Sequence, residues 1–426
     1  MQKVNFSFEN LLLFFFPISL ILGSAILNLT LIVSSIYFIN YSFKNNLFYF
    51  RYSWVKIFFT FIVFVLIVSF FSNETIPAFK NGFSQLRFIL FSLFIALIDF
   101  NKIAKNFISL LTLIILFVCI DVNIQFIFGY DLFGYPSEGY KVALYEPLSH
   151  WKDNTILIGR LSGPFGSELI PGAFIACLSP PLIFYFVNKI KLSSIKYCIT
   201  KIFIILVILQ SVLVTGERLA FLMTFSSILI STLIIFNFKK TLISYFLISI
   251  TLILSYNFFD NNNFFLKKRW IDAYSISQNI GSSSYGRIYY SSYKVWQNNK
   301  IFGVGLKNYR TECKKIIDPE PNSKHPFCSP THPHNLYMEL LSETGLIGFF
   351  IFLSFYFGLI FFLLKRLFHK NLVKEKYFYF AIGSLFYLIF KLLPLPSGSV
   401  FSTWNASFFW LHLGLCLCFL LKKKYK

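Results

Sequence analysis

The chain has 426 residues, of which 56% are hydrophobic and only 13% charged, with a mean hydropathy of +0.65. That composition excludes an ordinary water-soluble globular protein, because most of the chain needs a solvent as apolar as a lipid bilayer. The net charge of +21, from 39 Lys and Arg against 18 Asp and Glu, does not point to nucleic acid: the basic residues sit in short clusters between apolar runs rather than on one face.

In chain order, Lys3 precedes an apolar stretch from Leu11 to Ile39 that is too long for a signal-peptide core and has no small-x-small cleavage site. It is expected to stay in the mature protein. Apolar runs of roughly 17–25 residues predict helices at 10–24, 25–41, 54–72, 82–99, 106–129, 167–188, 197–214, 218–237, 240–258, 336–364, 376–393 and 402–421. The first pair reads as one tilted helix or two short passes. Gly23-Ser24-Ala25 and Asn28 favour a break. The expectation is an all-α polytopic membrane protein of about 12 transmembrane helices, with a large periplasmic loop between the ninth and tenth.

Charge bias orients it. With twelve spans the inner loops carry Lys44, Arg51 and Lys56; Lys102 and Lys105; Lys189, Lys191, Lys196 and Lys201; Lys239 and Lys240; and Lys365, Arg366, Lys370, Lys374 and Lys376. The tail holds Lys422 to Lys426. The short outer segments 73–81, 215–217 and 394–401 carry Lys80 and otherwise the acids Glu74 and Glu217. Both termini are therefore expected in the cytoplasm. The resulting blocks are 1–129, N-terminal spans; 130–166, a first outer loop; 167–258, central spans; 259–335, a large outer loop; and 336–426, C-terminal spans.

Connections as long as the two outer loops are functional or disordered. In the second, Tyr285, Tyr289, Tyr293 and Trp296 share one helical face, with Arg287 and Lys294 beside them. That stripe suits a helix at the headgroup level or one packed on the bundle. No solenoid-type repeat is present.

Cys119, Cys177, Cys198, Cys416 and Cys418 fall in or beside spans and read as small apolar residues. Cys313 and Cys328 lie in the second outer loop, where an oxidising compartment allows a disulfide worth about 3 kcal/mol. A rival set of metal ligands would be Cys313, Cys328, His325, His332 and His334, but His332-Pro333-His334 is not a standard zinc spacing.

The chemistry concentrates at the entry to the late span. Pro333 disfavours helix at His332 and Asn335 is a good N-cap, so a helix should begin just after it. His334 then stands at the positive end of a helix dipole, able to meet an anion and exchange a proton. Asn335, Glu339 and Glu343 recur at spacing four, and Gly345 and Gly348 allow close helix contact. The plainer alternative is that His334 and Asn335 only cap the helix.

This stretch resembles the O-antigen ligase and O-antigen polymerase superfamily of bacterial inner-membrane proteins. The likeness rests on His334-Asn335-x-Tyr337-x-x-x-Leu341-x-Glu343-x-Gly345-x-x-Gly348, preceded by Gly303-Val304-Gly305 and Tyr309. Supporting pieces are Arg160-Leu161-Ser162-Gly163-Pro164-Phe165 with Gly172, and Gly216-Glu217-Arg218. It covers roughly residues 150–365; the rest matches in topology alone.

The resemblance implies transfer of a glycan from undecaprenyl diphosphate to an acceptor hydroxyl, of lipid A-core or of a growing glycan, at the periplasmic face of the inner membrane. It implies no metal, nucleotide or other cofactor. The partners are then the lipid-linked donor, the acceptor and membrane lipids, with no nucleic acid. His334 is expected to accept the acceptor's proton while guanidinium groups, charged and bidentate towards phosphate, hold the leaving diphosphate. Arg218 and Arg160 are the first candidates and Arg287 the next, each also readable as an interfacial anchor. Asn335, Tyr337 and Glu339 are candidate substrate contacts. Arg87 and Arg310 are further candidates, with anchoring weighing more for both.

Ligase and polymerase share this donor chemistry, and the match leans towards ligase by analogy alone. A polysaccharide or lipid transporter would also be polytopic, yet few ionisable residues fall at span centres. A scaffold would leave the Arg and His of the outer loops unexplained.

Overall fold

The computed structural model describes residues 7–47, 49–137, 160–192, 195–262, 283–316, 328–329, 331–368 and 375–421, with single positions at 274, 278, 281 and 372. Lys3, Lys370, Lys374, His325, the tail 422–426 and residues 138–159 of the first long loop lie outside the described residues.

The described chain is helical. Its α-helices are α1 (Phe8–Leu22), α2 (Ser24–Lys44), α3 (Ser53–Ser69), α4 (Thr75–Ser84), α5 (Leu86–Leu97), α6 (Phe100–Phe128), α7 (Pro171–Leu192), α8 (Ile195–Val214), α9 (Arg218–Ile235), α10 (Phe238–Asn262), α11 (Ser284–Asn298), α12 (Tyr309–Ile316), α13 (Leu336–Leu367), α14 (Phe378–Phe390) and α15 (Thr403–Leu421). The only β-type pairings among the described residues are two isolated bridges, Tyr130 with Pro136 and Asn335 with Pro396.

Among the described residues seven helices, Ser24–Lys44, Phe100–Phe128, Pro171–Lys191, Tyr197–Val214, Arg218–Ile235, Leu336–Leu367 and Thr403–Leu420, are long and apolar enough to cross a membrane. Phe8–Leu22, Ser53–Ser69 and Phe378–Phe390 are apolar but shorter. The break within 11–39 falls at Gly23, whose φ of +109° ends one helix and starts the next. The expected span 82–99 differs. Its helix covers only Leu86–Leu97 and is preceded by a second helix across most of the supposed connection 73–81. Gly82 lets α4 lie close on α3: a Cβ there would stand 2.9 Å from Val65 Cγ1.

Two compact units divide the chain. The first comprises Met1–Asp99, Gln278–Lys374 and Leu388–Lys426. Aromatic packing fills it: Phe58 meets Phe355 at 5.0 Å and Trp410 at 4.8 Å, and Phe61 meets Phe352 at 5.1 Å. Arg87 is held inside by a hydrogen bond to Thr403 Oγ1 (3.0 Å) and by the Phe88 ring, the anchoring role. The second unit comprises Phe100–Ser277 and Glu375–Tyr387. There Asn123 of α6 donates to Ser211 Oγ (2.8 Å) and accepts from Gln210 Nε2 (2.9 Å) on α8, pairing polar groups in an apolar setting.

Helix α13 is interrupted at Gly345, which adopts φ +62°, ψ −170°, a region open almost only to glycine. The segment 300–305 runs into the break. Val304 N–H donates to Ser342 O (3.0 Å) and Gly305 N–H to Glu343 O (2.9 Å), while Leu346 N–H donates to Lys300 O (2.9 Å) and Ile347 N–H to Ile301 O (3.3 Å). A Cβ at Gly303 would stand 2.5 Å from the main chain of residues 343–345. Behind this splice, Val295, Val304, Tyr309 and Cys313 form a buried cluster with Cys328 packed on it, and Cys313 is disulfide-bonded to Cys328. Gly303→Ala and Gly345→Ala are each expected to destabilise the protein by roughly 1–3 kcal/mol or more. Thermal unfolding of the detergent-solubilised chain checks this, and an unchanged Tm in both would contradict the splice.

Candidate functional site

Within the first unit, α13 begins as its sequence demands. Asn335 is extended, and its Oδ1 accepts from Tyr337 N–H (3.0 Å) and Met338 N–H (3.2 Å). Immediately before it, His334 sits at φ +54°, a left-handed conformation uncommon outside glycine. That strained backbone is tied down from the segment 395–400: Ser397 N–H donates to the His334 carbonyl (2.8 Å), and Asn335 bridges Pro396. Strain held in this way by its surroundings is a feature of functional loops.

The two histidines of His332-Pro333-His334 divide their work. Their ring centroids are 4.1 Å apart. His332 Nε2 lies 3.2 Å from the Ser397 carbonyl, which only accepts, so Nε2 carries the proton and Nδ1 accepts from the Thr331 hydroxyl at 2.9 Å. His332 is thereby locked as a neutral tautomer. Among the described residues, no hydrogen bond engages either ring nitrogen of His334; its ring faces the edge of Tyr285 on α11 at 6.1 Å. Burial lowers the pKa of both rings to about 4, His332 being pushed further down by Lys307 and Arg310 and His334 by His332, with Glu339 opposing.

Glu339, one turn into α13 and 1% exposed, accepts from the Ser399 hydroxyl and from Val400 N–H (3.0 Å). Tyr337 donates its hydroxyl to the Leu392 carbonyl. Asn335, Tyr337 and Glu339 thus all fasten α13 to the stretch 392–400. Arg287 is half-buried on α11, two residues past Tyr285, and Arg310 is exposed at the start of α12; neither guanidinium has a hydrogen bond or ion pair among the described residues. Glu312 and Thr311 of α12 are held by Asn73 (2.6 Å) and Glu74 (2.8 Å).

Within the second unit, the short pieces around Arg160 and Arg218 come together. Gln125 of α6 accepts from Ser162 N–H and Gly163 N–H (both 2.9 Å) and donates to Ser162 Oγ (3.0 Å). Arg160 donates to the Leu169 carbonyl (2.9 Å), closing the loop that leads into α7. Glu217 accepts from Gly172 N–H (2.8 Å) and Ala173 N–H (3.0 Å), capping α7 with a carboxylate. Arg218 follows as the first residue of α9, half-buried, with no hydrogen bond or ion pair among the described residues.

Residues 202–353 match the family model described as O-antigen ligase. This stretch is similar to the O-antigen ligase family. No curated protein matches the chain. Arg218, Arg287, Arg310, His334, Asn335, Tyr337 and Glu339 fall inside the matched stretch, and Arg160 precedes it. The splice at Gly345 belongs wholly to it. The chain is a membrane protein by its apolar helices and by this likeness.

Sequence reasoning missed Lys307, His332 as a partner of His334, and Ser397 and Ser399. The signal for the serines was Pro394-Leu395-Pro396-Ser397-Gly398-Ser399, a small polar turn after a span. Cys313 and Cys328 engage each other, and no three of His, Cys, Asp or Glu gather as a metal site among the described residues.

Both rings are expected to stay neutral until pH falls towards about 4. An unfolded histidine takes up its proton near 6.5. Between these values the unfolded chain binds more protons, so this pair makes stability rise with pH through that window and fall on acidification. Nitrogen-15 spectra of histidine-labelled protein read the titration directly; a His334 midpoint at 6.5 or above would contradict its buried setting.

Proposed function

We propose that this chain is an O-antigen ligase-type glycosyltransferase, moving a glycan from undecaprenyl diphosphate to a hydroxyl of lipid A-core at the periplasmic face of the bacterial inner membrane, without a metal. The observation that carries this is His334: a neutral imidazole whose ring nitrogens meet no hydrogen bond among the described residues, held by a strained backbone at the start of a membrane helix, inside the matched stretch. The topology that goes with it has twelve spans and cytoplasmic termini, which leaves the start of α13 and the long loops on the periplasmic side.

In the reaction the acceptor oxygen attacks the anomeric carbon as the bond from that carbon to the diphosphate oxygen breaks. The acceptor proton passes to His334, undecaprenyl diphosphate leaves, and the anomeric centre inverts. A base that is neutral in the resting protein strengthens when an anion approaches, because the nearby negative charge favours imidazolium. Guanidinium groups suit the departing charge, and Arg218, Arg287 and Arg310, which have no hydrogen bond or ion pair among the described residues, are assigned to the diphosphate by the family resemblance. Arg160 is assigned to the same task from its place among loop glycines. Asn335, Tyr337 and Glu339 serve the substrate by fixing the entry to α13.

Deleting the chain and analysing surface glycan tests the assignment. Loss of all long chains from lipid A-core, with polymer still lipid-linked, is the expected result; single-repeat products would replace ligase by polymerase. In a reconstituted assay His334→Ala should lower transfer by about 10²–10⁴-fold with membrane insertion intact. Arg218→Lys should also be harmful, since the charge stays while the bidentate fork is lost. Undiminished transfer by the His334 variant would remove it as the base.

A further inference from the structure

The segment 395–400 reaches the histidine loop at three points. Ser397 gives its N–H to the His334 carbonyl (2.8 Å) and its carbonyl to His332 Nε2 (3.2 Å), and Pro396 pairs with Asn335. What fixes this segment in turn is a charged clamp. Lys307 Nζ donates to Ser399 Oγ at 2.9 Å, and the same hydroxyl donates to Glu339. Val400 N–H adds a second bond to the Glu339 carboxylate at 3.0 Å. Ser399 is 2% exposed and Glu339 1% exposed, so a single buried oxygen joins an ammonium to a carboxylate.

Lys307 is delivered by the splice. It comes two residues after Gly305, and its own φ is +65° in the tight turn that Asn308 N–H closes on Gly305 O (3.2 Å). A lysine placed to bind phosphate as a point charge would reach into solvent; this one is turned onto a serine. Removing the hydroxyl leaves the two charges without the atom that bridges them, and the segment behind His334 loses its fastening.

The geometry points to Lys307 and Ser399 as positioning residues for His334: with Glu339 they clamp the segment 395–400, which holds the strained His334 backbone and so aims its ring. This rests on His334 being the general base. The clamp does not touch the ring. It acts through the Ser397 N–H bond to the His334 carbonyl, and a displacement of about 1 Å at a reacting group is enough to lose 10²-fold in rate.

The test uses the full chain reconstituted in lipid bilayers, with an undecaprenyl diphosphate-linked glycan as donor and lipid A-core as acceptor. Ser399→Ala and Lys307→Met are each expected to lower kcat about 10²-fold, with KM for the donor changed by less than about threefold. Ser399→Thr, which keeps the hydroxyl, should restore the rate. The groups facing His334 are His332 in its own loop, Glu339 on α13 and Tyr285 on α11, while Lys307 and Arg310 act on His332. Loosening the segment admits water to His334, so the acid limb of the pH–rate profile should move up from near 4 towards 6.5 in Ser399→Ala. A lower rate with an unmoved limb, or no rescue by threonine, would mean a damaged fold and would overturn the clamp. So would wild-type kcat in both variants. His334→Ala keeps the two ideas apart: activity surviving there removes the base itself, whereas inactivity there beside full activity in Ser399→Ala and Lys307→Met removes the clamp alone.

Discussion

Between Ser342 and Ile347 the main chain of α13 takes hydrogen-bond partners from another part of the chain. In a helix read as crossing a membrane, each backbone group left unpaired would cost several kcal/mol, so an interruption survives only where something else satisfies it. The segment 300–305 does so with two N–H groups and two carbonyls. The arrangement demands glycine at both contact points. Gly345 takes a conformation other residues avoid, and Gly303 lies where a Cβ would strike the opposing backbone. From this one splice follow the turn that presents Lys307, the burial of Tyr309, and the position of α12 with its disulfide.

The histidine loop adds a second constraint, electrostatic rather than steric. Two imidazoles 4.1 Å apart in a half-buried setting disfavour each other's protonation. One of them, His332, has both nitrogens committed and serves as a fixed wall. On the other, no hydrogen bond engages a ring nitrogen among the described residues. Such a pair supplies an uncharged acceptor at neutral pH without a carboxylate bonded to the ring, the device more often used to orient a histidine.

Much of this architecture was legible from residue order. Apolar run lengths marked the membrane helices, and Pro333 followed by Asn335 marked the start of α13 to the residue. Gly345 and Gly348 were readable as sites of close approach. That the approach is an insertion into a broken helix was not, because the apolar pattern runs through Gly345 into Leu346, Ile347 and Phe349 without a gap. Helix α4 escaped notice for another reason: ten residues are too few to read as a span, and the helix packs through the small residues Ala78 and Gly82. The Lys307–Ser399 contact joins positions 92 apart, and no local pattern foretells a pairing over such a separation. Glu217 was read as an outer-segment acid marking topology, whereas its two bonds to the first turn of α7 tie together pieces that look weak singly.

The splice also sets an order of events during synthesis. Residues 300–305 leave the ribosome before Ser342 to Ile347, and at roughly 5–20 residues per second they precede them by seconds. The receiving segment is thus made first, and α11, capped by Ser283, lies just ahead of it in the chain. When the later half of the partnership emerges, its orphaned amides meet a waiting template rather than lipid. Were the two stretches in the reverse order along the chain, the interrupted helix would have to wait in the bilayer with its backbone unpaired.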